Sequence, residues 1–315
     1  MKTTNRKVAE DLRIELEYRL RRGELPTQVR SKTLDDFVEE YRNFSQARKR
    51  PKSHATDMAR VRAFTASLKS VLVEDVETAD VSAFLSARVL EHGNSPATVL
   101  RYREALHAFF EHAKRLSYIT PNPVAAVPRP RIPERDPRFL SLDQIKELHE
   151  VLVGDIIASL IVTVVYGGLR REEACWLTWD DLDLAGEAPV LRVRGKTIDG
   201  EFWIPKTKKN RTIPVSGKLL SVLSEHKRNG VPWVFPSPKN CRWDPDNLGH
   251  RFKRLMKKAG LPWNFLDLRH TFGSQLARKG VSLLKIAKLM GNSPEIAQRH
   301  YIHLLPEELR EEVEF

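Results

Sequence analysis

The sequence predicts a mainly α fold in two domains, with one small three-stranded antiparallel sheet confined to the second. Three observations carry this. Apolar residues recur at three- and four-residue spacing through 33–119 and again beyond 140, as in helices with one buried face. Between those blocks, Pro121, Pro123, Pro128, Pro130, Pro133 and Pro137 exclude a helix or a central strand. Only 190–215 changes to short runs rich in β-formers. With 315 residues, 41% of them hydrophobic, the chain can bury two cores.

Residues 1–32 read as a charged arm, either a short exposed helix or a mobile segment. The helical domain spans 33–120, and Leu34, Phe37, Val38 and Tyr41 mark its first helix. Met58, Val61, Phe64 and Leu68 mark a second over 54–68. Asp80 reads as the start of the third and Gly93 as its stop. Ser95-Pro96 supplies an N-cap and first-turn proline for the fourth, which runs to Leu116.

Residues 121–139 read as an extended Pro/Arg linker, and 140–315 as the second domain. There Ser141 caps a helix over 141–152. IIASLIVTVVYGGL (156–169) is a core helix, too short to span a bilayer, so no membrane association is expected. VLRVRG, EFWIP and RTIPV are the three strands, joined by KTIDG and KTKKN. Helices follow at 218–228, 246–259, 265–278, 282–290 and 294–301. The acidic-flanked tail after Tyr301, with Leu304, Leu305, Leu309 and Val313, is expected to pack on a neighbouring protomer or back on its own domain.

Lys and Arg number 53 against 41 acids, a formal net charge of +12 that favours a polyanionic partner. The candidate phosphate contacts are Arg48, Lys49, Arg50, Lys52 and Arg60 in a basic stretch, and Arg101 on the fourth helix. Arg129 and Arg131 in the linker join them, with Lys208, Lys209 and Arg211 in the lysine-dense turn. Cys175 and Cys241 lack metal-ligand spacing, and the N-terminus lacks an apolar signal core; a reducing, cytoplasmic setting fits. With no metal-spaced cluster or phosphate-cradling glycine loop, neither metal nor cofactor is expected.

Four local words carry chemistry. Arg170 and Glu173 share a helical face, and Gly167-Gly168 just before them permit a close approach to a ligand. Arginine's planar fork suits two phosphate oxygens. Lys206 sits at a turn between β-runs, where a lysine can protonate a leaving alkoxide. Arg269 lies on a helix opened by Asn264 and Asp267, resembling a capping box, with Leu266 and His270 beside it. A packing role is the simpler reading of His270. Gly291-Asn292-Ser293-Pro294 breaks one helix and starts the next, which carries Tyr301. A phenol, with an unperturbed pKa of about 10, needs cationic neighbours to attack phosphorus.

Together these words resemble the tyrosine recombinase (phage integrase) family. SPATVLRYREALHAFFEHAKRLSYITPNPV is similar to the end of its helical, SAM-like core-binding domain. GLRREEACWLTWDDLDL resembles its first arginine box, IPKTKKNRTIPV its β-hairpin, LDLRHTFGSQLARKG its second box and GNSPEIAQRHYIHL its nucleophile box. The resemblance implies a two-domain clamp on double-stranded DNA, assembled as a homotetramer. It implies that Tyr301 attacks the scissile phosphate to form a 3′-phosphotyrosyl link, that Lys206 protonates the 5′-oxygen, and that Arg170 and Arg269 hold the non-bridging oxygens. Glu173 is then the acidic partner of the first arginine.

Two positions depart from the family. Its usual histidine three residues before the second arginine is Leu266, and its later His or Trp is Asn292. At i−3 to Arg269, Leu266 is expected to point into the site and to slow cleavage, with activation supplied by a neighbouring protomer or accessory protein. Loss of a general base lowers a rate about 10²–10⁴-fold. A site-specific recombinase of a mobile element leads, with the chromosome-dimer-resolving branch beside it. The alternatives are a catalytically degenerate DNA-binding protein and a type IB topoisomerase; the separate helical domain and post-tyrosine tail favour a recombinase.

Overall fold

Local capping chemistry starts most helices of the computed structural model, which describes residues 6–21, 31–68, 72–133, 136–226 and 230–304. The chain divides into two units, Met1–Glu134 and Arg135–Phe315. In the first, helix α1 (Arg6–Arg21) exposes Val8, Ile14 and Tyr18. Helix α2 (Leu34–Arg48) is capped by Thr33, whose side chain accepts from the Asp36 amide. Helix α3 (Pro51–Thr65) begins three residues before the expected 54 because Pro51 occupies the first turn. Helix α4 (Thr78–Leu90) is capped by Glu77; Asp80 is its capping-box partner rather than its start. Helix α5 (Pro96–Arg115) is capped by Ser95.

These last four helices enclose an aromatic core. Phe37 packs on Phe109 at 4.7 Å between ring centroids, and Tyr41 meets Phe109 edge-on at 5.1 Å. Such tilted geometries suit the aromatic quadrupole.

The expected linker is shorter than its prolines imply. Val124 and Val127 are buried in this core. Arg103, itself buried, donates from Nε to the Val127 carbonyl (2.9 Å) and from Nη2 to the Val124 carbonyl (3.1 Å). Proline forbids helix but not burial of the valines between, and among the described residues 128–133 and 136–140 are without element structure. At the far end Leu140 is fully buried in the second unit, its amide donating to Thr271 Oγ1.

In that unit a Ser141/Gln144 capping box opens α6 (Leu142–Leu152). Helix α7 (Ala158–Gly167) runs through the core on Leu160, Ile161, Val164 and Val165. A short helix, α8 (Arg171–Cys175), follows.

The sheet differs from expectation. Its strands are β1 (Leu182–Asp183), β2 (Val190–Val193) and β5 (Arg211–Pro214), antiparallel in the order β1-β2-β5. The run EFW is strand β4 (Glu201–Trp203), paired instead with β3 (Lys196–Ile198) in a separate hairpin. Asp199 and Gly200 close it with φ of 50° and 77°, the left-handed pair of a two-residue turn. Trp203 stacks on Trp176 at 5.5 Å, which docks the hairpin on the core.

Helices α9 (Gly217–Glu225), α10 (Pro245–Lys258), α11 (Phe265–Arg278), α12 (Leu283–Met290) and α13 (Pro294–Tyr301) complete the unit. Helix α11 packs along α7. Ala277, Ile286, Ala287, Met290, Ala297 and Tyr301 form a small core of their own, apart from the main one. No described helix is long and apolar enough to cross a membrane. Of the tail expected to pack, Leu304 lies against the Tyr301 cluster, and 305–315 fall outside the described residues.

Candidate active site

The site begins where α7 stops. Gly168 ends that helix in the left-handed region at φ 61°, and a Cβ there would lie 2.4 Å from the Phe272 ring. Gly168→Ala is therefore expected to destabilise the fold by about 1–3 kcal/mol through backbone strain and that clash. Urea denaturation followed by circular dichroism measures it; an unchanged midpoint would contradict the close approach.

Arg170 is the N-cap of α8. Glu173, one turn in, accepts from its amide (2.8 Å) and from its Nη1 (2.9 Å). The Glu173 side chain is 1% exposed and holds two further cations. Arg211 donates to both its oxygens (3.0 and 2.6 Å), and Arg269 Nη1 lies 3.7 Å away. Burial opposes the Glu173 charge, but the hydrogen bonds and charges of Arg211, Arg269 and Arg170 outweigh it and hold the carboxyl at about 2. Burial and Arg170 push the Arg269 guanidinium down to about 9, leaving it charged at neutral pH. Three guanidiniums thus surround one carboxylate, and the excess charge is positive.

Arg211, expected among the outward phosphate contacts, lies inside instead. Its side chain is 5% exposed and its Nε donates to the Leu289 carbonyl. The signal lay in the strand's period of two, since Ile213 and Val215 face inward and Arg211 shares their side.

Two of the guanidiniums converge on a single atom. Arg170 Nη2 donates to Asn292 Oδ1 at 2.8 Å, and Arg269 Nη2 to the same oxygen at 2.9 Å. Backbone carbonyls fix both forks: Gly291 for Arg170, Gly168 and Met290 for Arg269. The site therefore already holds one neutral oxygen between two cations from separate elements.

Tyr301 is fully buried beside this cluster. A Cβ on Gly273 would fall 2.5 Å from its Cζ, so the glycine makes the seat of the ring. Burial pushes the phenol up to about 12 against the pull of Arg269. Its oxygen lies 3.0 Å from His270 Nδ1. His270 is thus half-buried against Tyr301 rather than simply packed in the core.

The remaining candidates lie outside the cluster. Lys206 is exposed on the loop between β4 and β5, whose base is tied by Asn210 Oδ1 accepting from the Gly195 amide. Leu266 is 59% exposed on the first turn of α11, on the outer face of a turn whose Phe265, Asp267 and Leu268 are buried, and not packed against the arginines. Arg48, Arg50, Lys52 and Arg101 are exposed, as are Arg129, Arg131, Lys208 and Lys209. Lys49 and Arg60 are half-buried and both pair with Asp57, which reduces the charge they present. Among the described residues no group of His, Cys, Asp and Glu is arranged to hold a metal ion.

Residues 138–308 match the model of the phage integrase family, and 34–119 that of the phage integrase N-terminal SAM-like domain. The tyrosine recombinase XerA of Pyrococcus furiosus is 27% identical over 303 residues, spanning 91% of this chain and 96% of that protein. A XerC-like tyrosine recombinase of Caldanaerobacter subterraneus subsp. tengcongensis is 27% identical over 267 residues, 72% of this chain and 67% of that one. Among solved structures, the Tn1549 transposon integrase in complex with a circular intermediate DNA superposes with a TM-score of 0.75 at 21% identity. That match covers 90% of this chain and 98% of the integrase. A lambda integrase dimer bound to a COC′ core site gives 0.70 at 19%, over 95% and 87% of the two chains. The chain belongs to the phage integrase family, as a DNA-cleaving and rejoining enzyme of the tyrosine recombinase type.

Proposed function

We propose that this chain is a site-specific recombinase in which Tyr301 attacks a scissile phosphate and forms a 3′-phosphotyrosyl intermediate. The observation that carries the reading is the shared oxygen: Arg170 and Arg269 both donate to Asn292 Oδ1. A non-bridging phosphate oxygen taking that place gains two charge-assisted bonds from donors already aligned, which favours the pentacoordinate phosphorane over the ground state. Glu173 holds the guanidiniums in register without cancelling their charge. Lys206, on its exposed loop, delivers a proton to the 5′-oxygen.

The exposed basic residues on the helical unit and on the 128–133 segment supply sequence-independent affinity for duplex DNA. Both units contribute to holding the duplex, and the working assembly is a tetramer on two DNA sites in the cytoplasm. Lambda integrase has been solved as a tetramer bound to a Holliday junction, which supports that arrangement. An accessory protein setting direction fits the same scheme.

The test uses nicked suicide duplexes built from the tightest-binding sequences of a randomised pool. A covalent protein–DNA adduct is expected on denaturing gels, and Tyr301→Phe removes it while leaving duplex binding intact. Binding without any adduct would instead establish the degenerate DNA-binding reading, which the loss of histidine at Leu266 favours.

A further inference from the structure

The reaction just proposed needs a group to take the phenol proton, and position 266 offers none. Leucine has no acceptor, and Leu266 is turned to solvent. Tyr301 does have a basic neighbour. We propose that His270 Nδ1 accepts the Tyr301 proton as the phenolic oxygen bonds to phosphorus, making His270 a catalytic residue of this chain. The inference rests on Tyr301 being the nucleophile.

Three features of the structure support it. The Tyr301 oxygen lies 3.0 Å from His270 Nδ1, within range for direct proton transfer. Arg269, His270 and Gly273 occupy one stretch of α11, so a single rigid helix carries the phosphate ligand, the proton acceptor and the seat of the ring. The imidazole is also free to accept. Burial, with the charges of His300 and Arg269, pushes it down to about 4, so it is unprotonated at neutral pH. The groups facing it are Tyr301 and His300 from α13 and Arg269 from its own helix.

In the resting site, transfer from a phenol near 12 to an imidazole near 4 is far uphill. It therefore accompanies attack and does not precede it. The phosphodiester brings negative charge that offsets Arg269, and the imidazolium gains as charge builds on the phosphorane. The step balances: the Tyr301 O–H bond breaks and its proton goes to His270. The O–P bond forms, the P–O5′ bond breaks, and its electron pair leaves on O5′, which Lys206 protonates. In rejoining, the imidazolium returns the proton to the departing phenolate.

The experiment is single-turnover adduct formation on the nicked duplexes described above, by the full chain, between pH 6 and 9. His270→Gln keeps a hydrogen-bond acceptor but cannot take a proton; His270→Ala removes both. Each is expected to slow adduct formation about 10²–10⁴-fold at pH 7. The deficit should shrink roughly tenfold per pH unit as hydroxide takes over, as for any reaction that has lost its base. Added imidazole restores part of the rate to His270→Ala. If Gln reacts as fast as histidine, if the deficit does not change with pH, or if either variant cleaves faster, His270 only positions or latches the phenol and the proposal is overturned. If the unsubstituted chain forms no adduct, the reading of Tyr301 falls first and His270 with it.

Discussion

Glu173→Gln is expected to lower the unfolding free energy by about 3–5 kcal/mol at neutral pH, the cost of removing one partner from a buried ion cluster. The carboxylate is 1% exposed and is the anion within bonding distance of Arg170 and Arg211, with Arg269 close by. Glutamine keeps the shape and two of the bonds but leaves three cations facing one another. Acid titration gives an independent check. The folded carboxyl sits at about 2 against an ordinary 4.5, so its contribution is complete above the unfolded value. It is lost as pH falls through 4.5 towards 2, and amounts to about 3 kcal/mol. Urea midpoints should therefore converge for the two proteins between pH 5 and pH 2. Parallel curves over that range would mean that the carboxylate does not carry the cluster.

Asn292→Asp should separate stability from activity. Asn292 Oδ1 already accepts from Arg170 and Arg269, so a carboxylate there makes the same two bonds and adds the attraction of an anion for two partly or fully buried cations. That attraction is stronger away from bulk water, so a higher melting temperature is expected. The same change places a fixed anion where the proposed reaction seats a phosphate oxygen. Covalent adduct formation should drop by about 10²–10³, the scale seen when one transition-state donor is removed. Asn292→Ala, by contrast, vacates the place and should weaken the fold without blocking the anion. A variant that melts higher and still cleaves at the original rate would show that phosphate binds elsewhere.

Much of this arrangement was legible because its signals are local. Asn264 and Asp267 fix the start of α11, and Ser293-Pro294 that of α13, at the expected residues. Each cap is a bond between neighbours in sequence. What failed to show were pairings set by distant partners. The run EFWIP is β-rich enough for the main sheet, but the Asp199-Gly200 turn folds it onto β3 instead. The prolines of 121–139 point to an extended linker, but Arg103 ties the Val124 and Val127 carbonyls to the helical core. Arg211 and His270 depart from expectation for a related reason. Their charge and polarity suggest surface or plain packing, whereas Glu173 and Tyr301, 38 and 31 residues away, decide what they do.

A protein of net charge +12 collides productively with almost any stretch of duplex, and each such encounter places a reactive enzyme on a polymer the cell cannot afford to nick at random. On the proposed reading, holding and cutting draw on different parts of the chain. Adhesion uses charge spread over the surface, whereas Tyr301 is fully buried with its oxygen against His270 Nδ1. Its helix packs in a small core distinct from the main one. Fidelity in such an enzyme is then a matter of which phosphate reaches that oxygen, not of how tightly the protein binds.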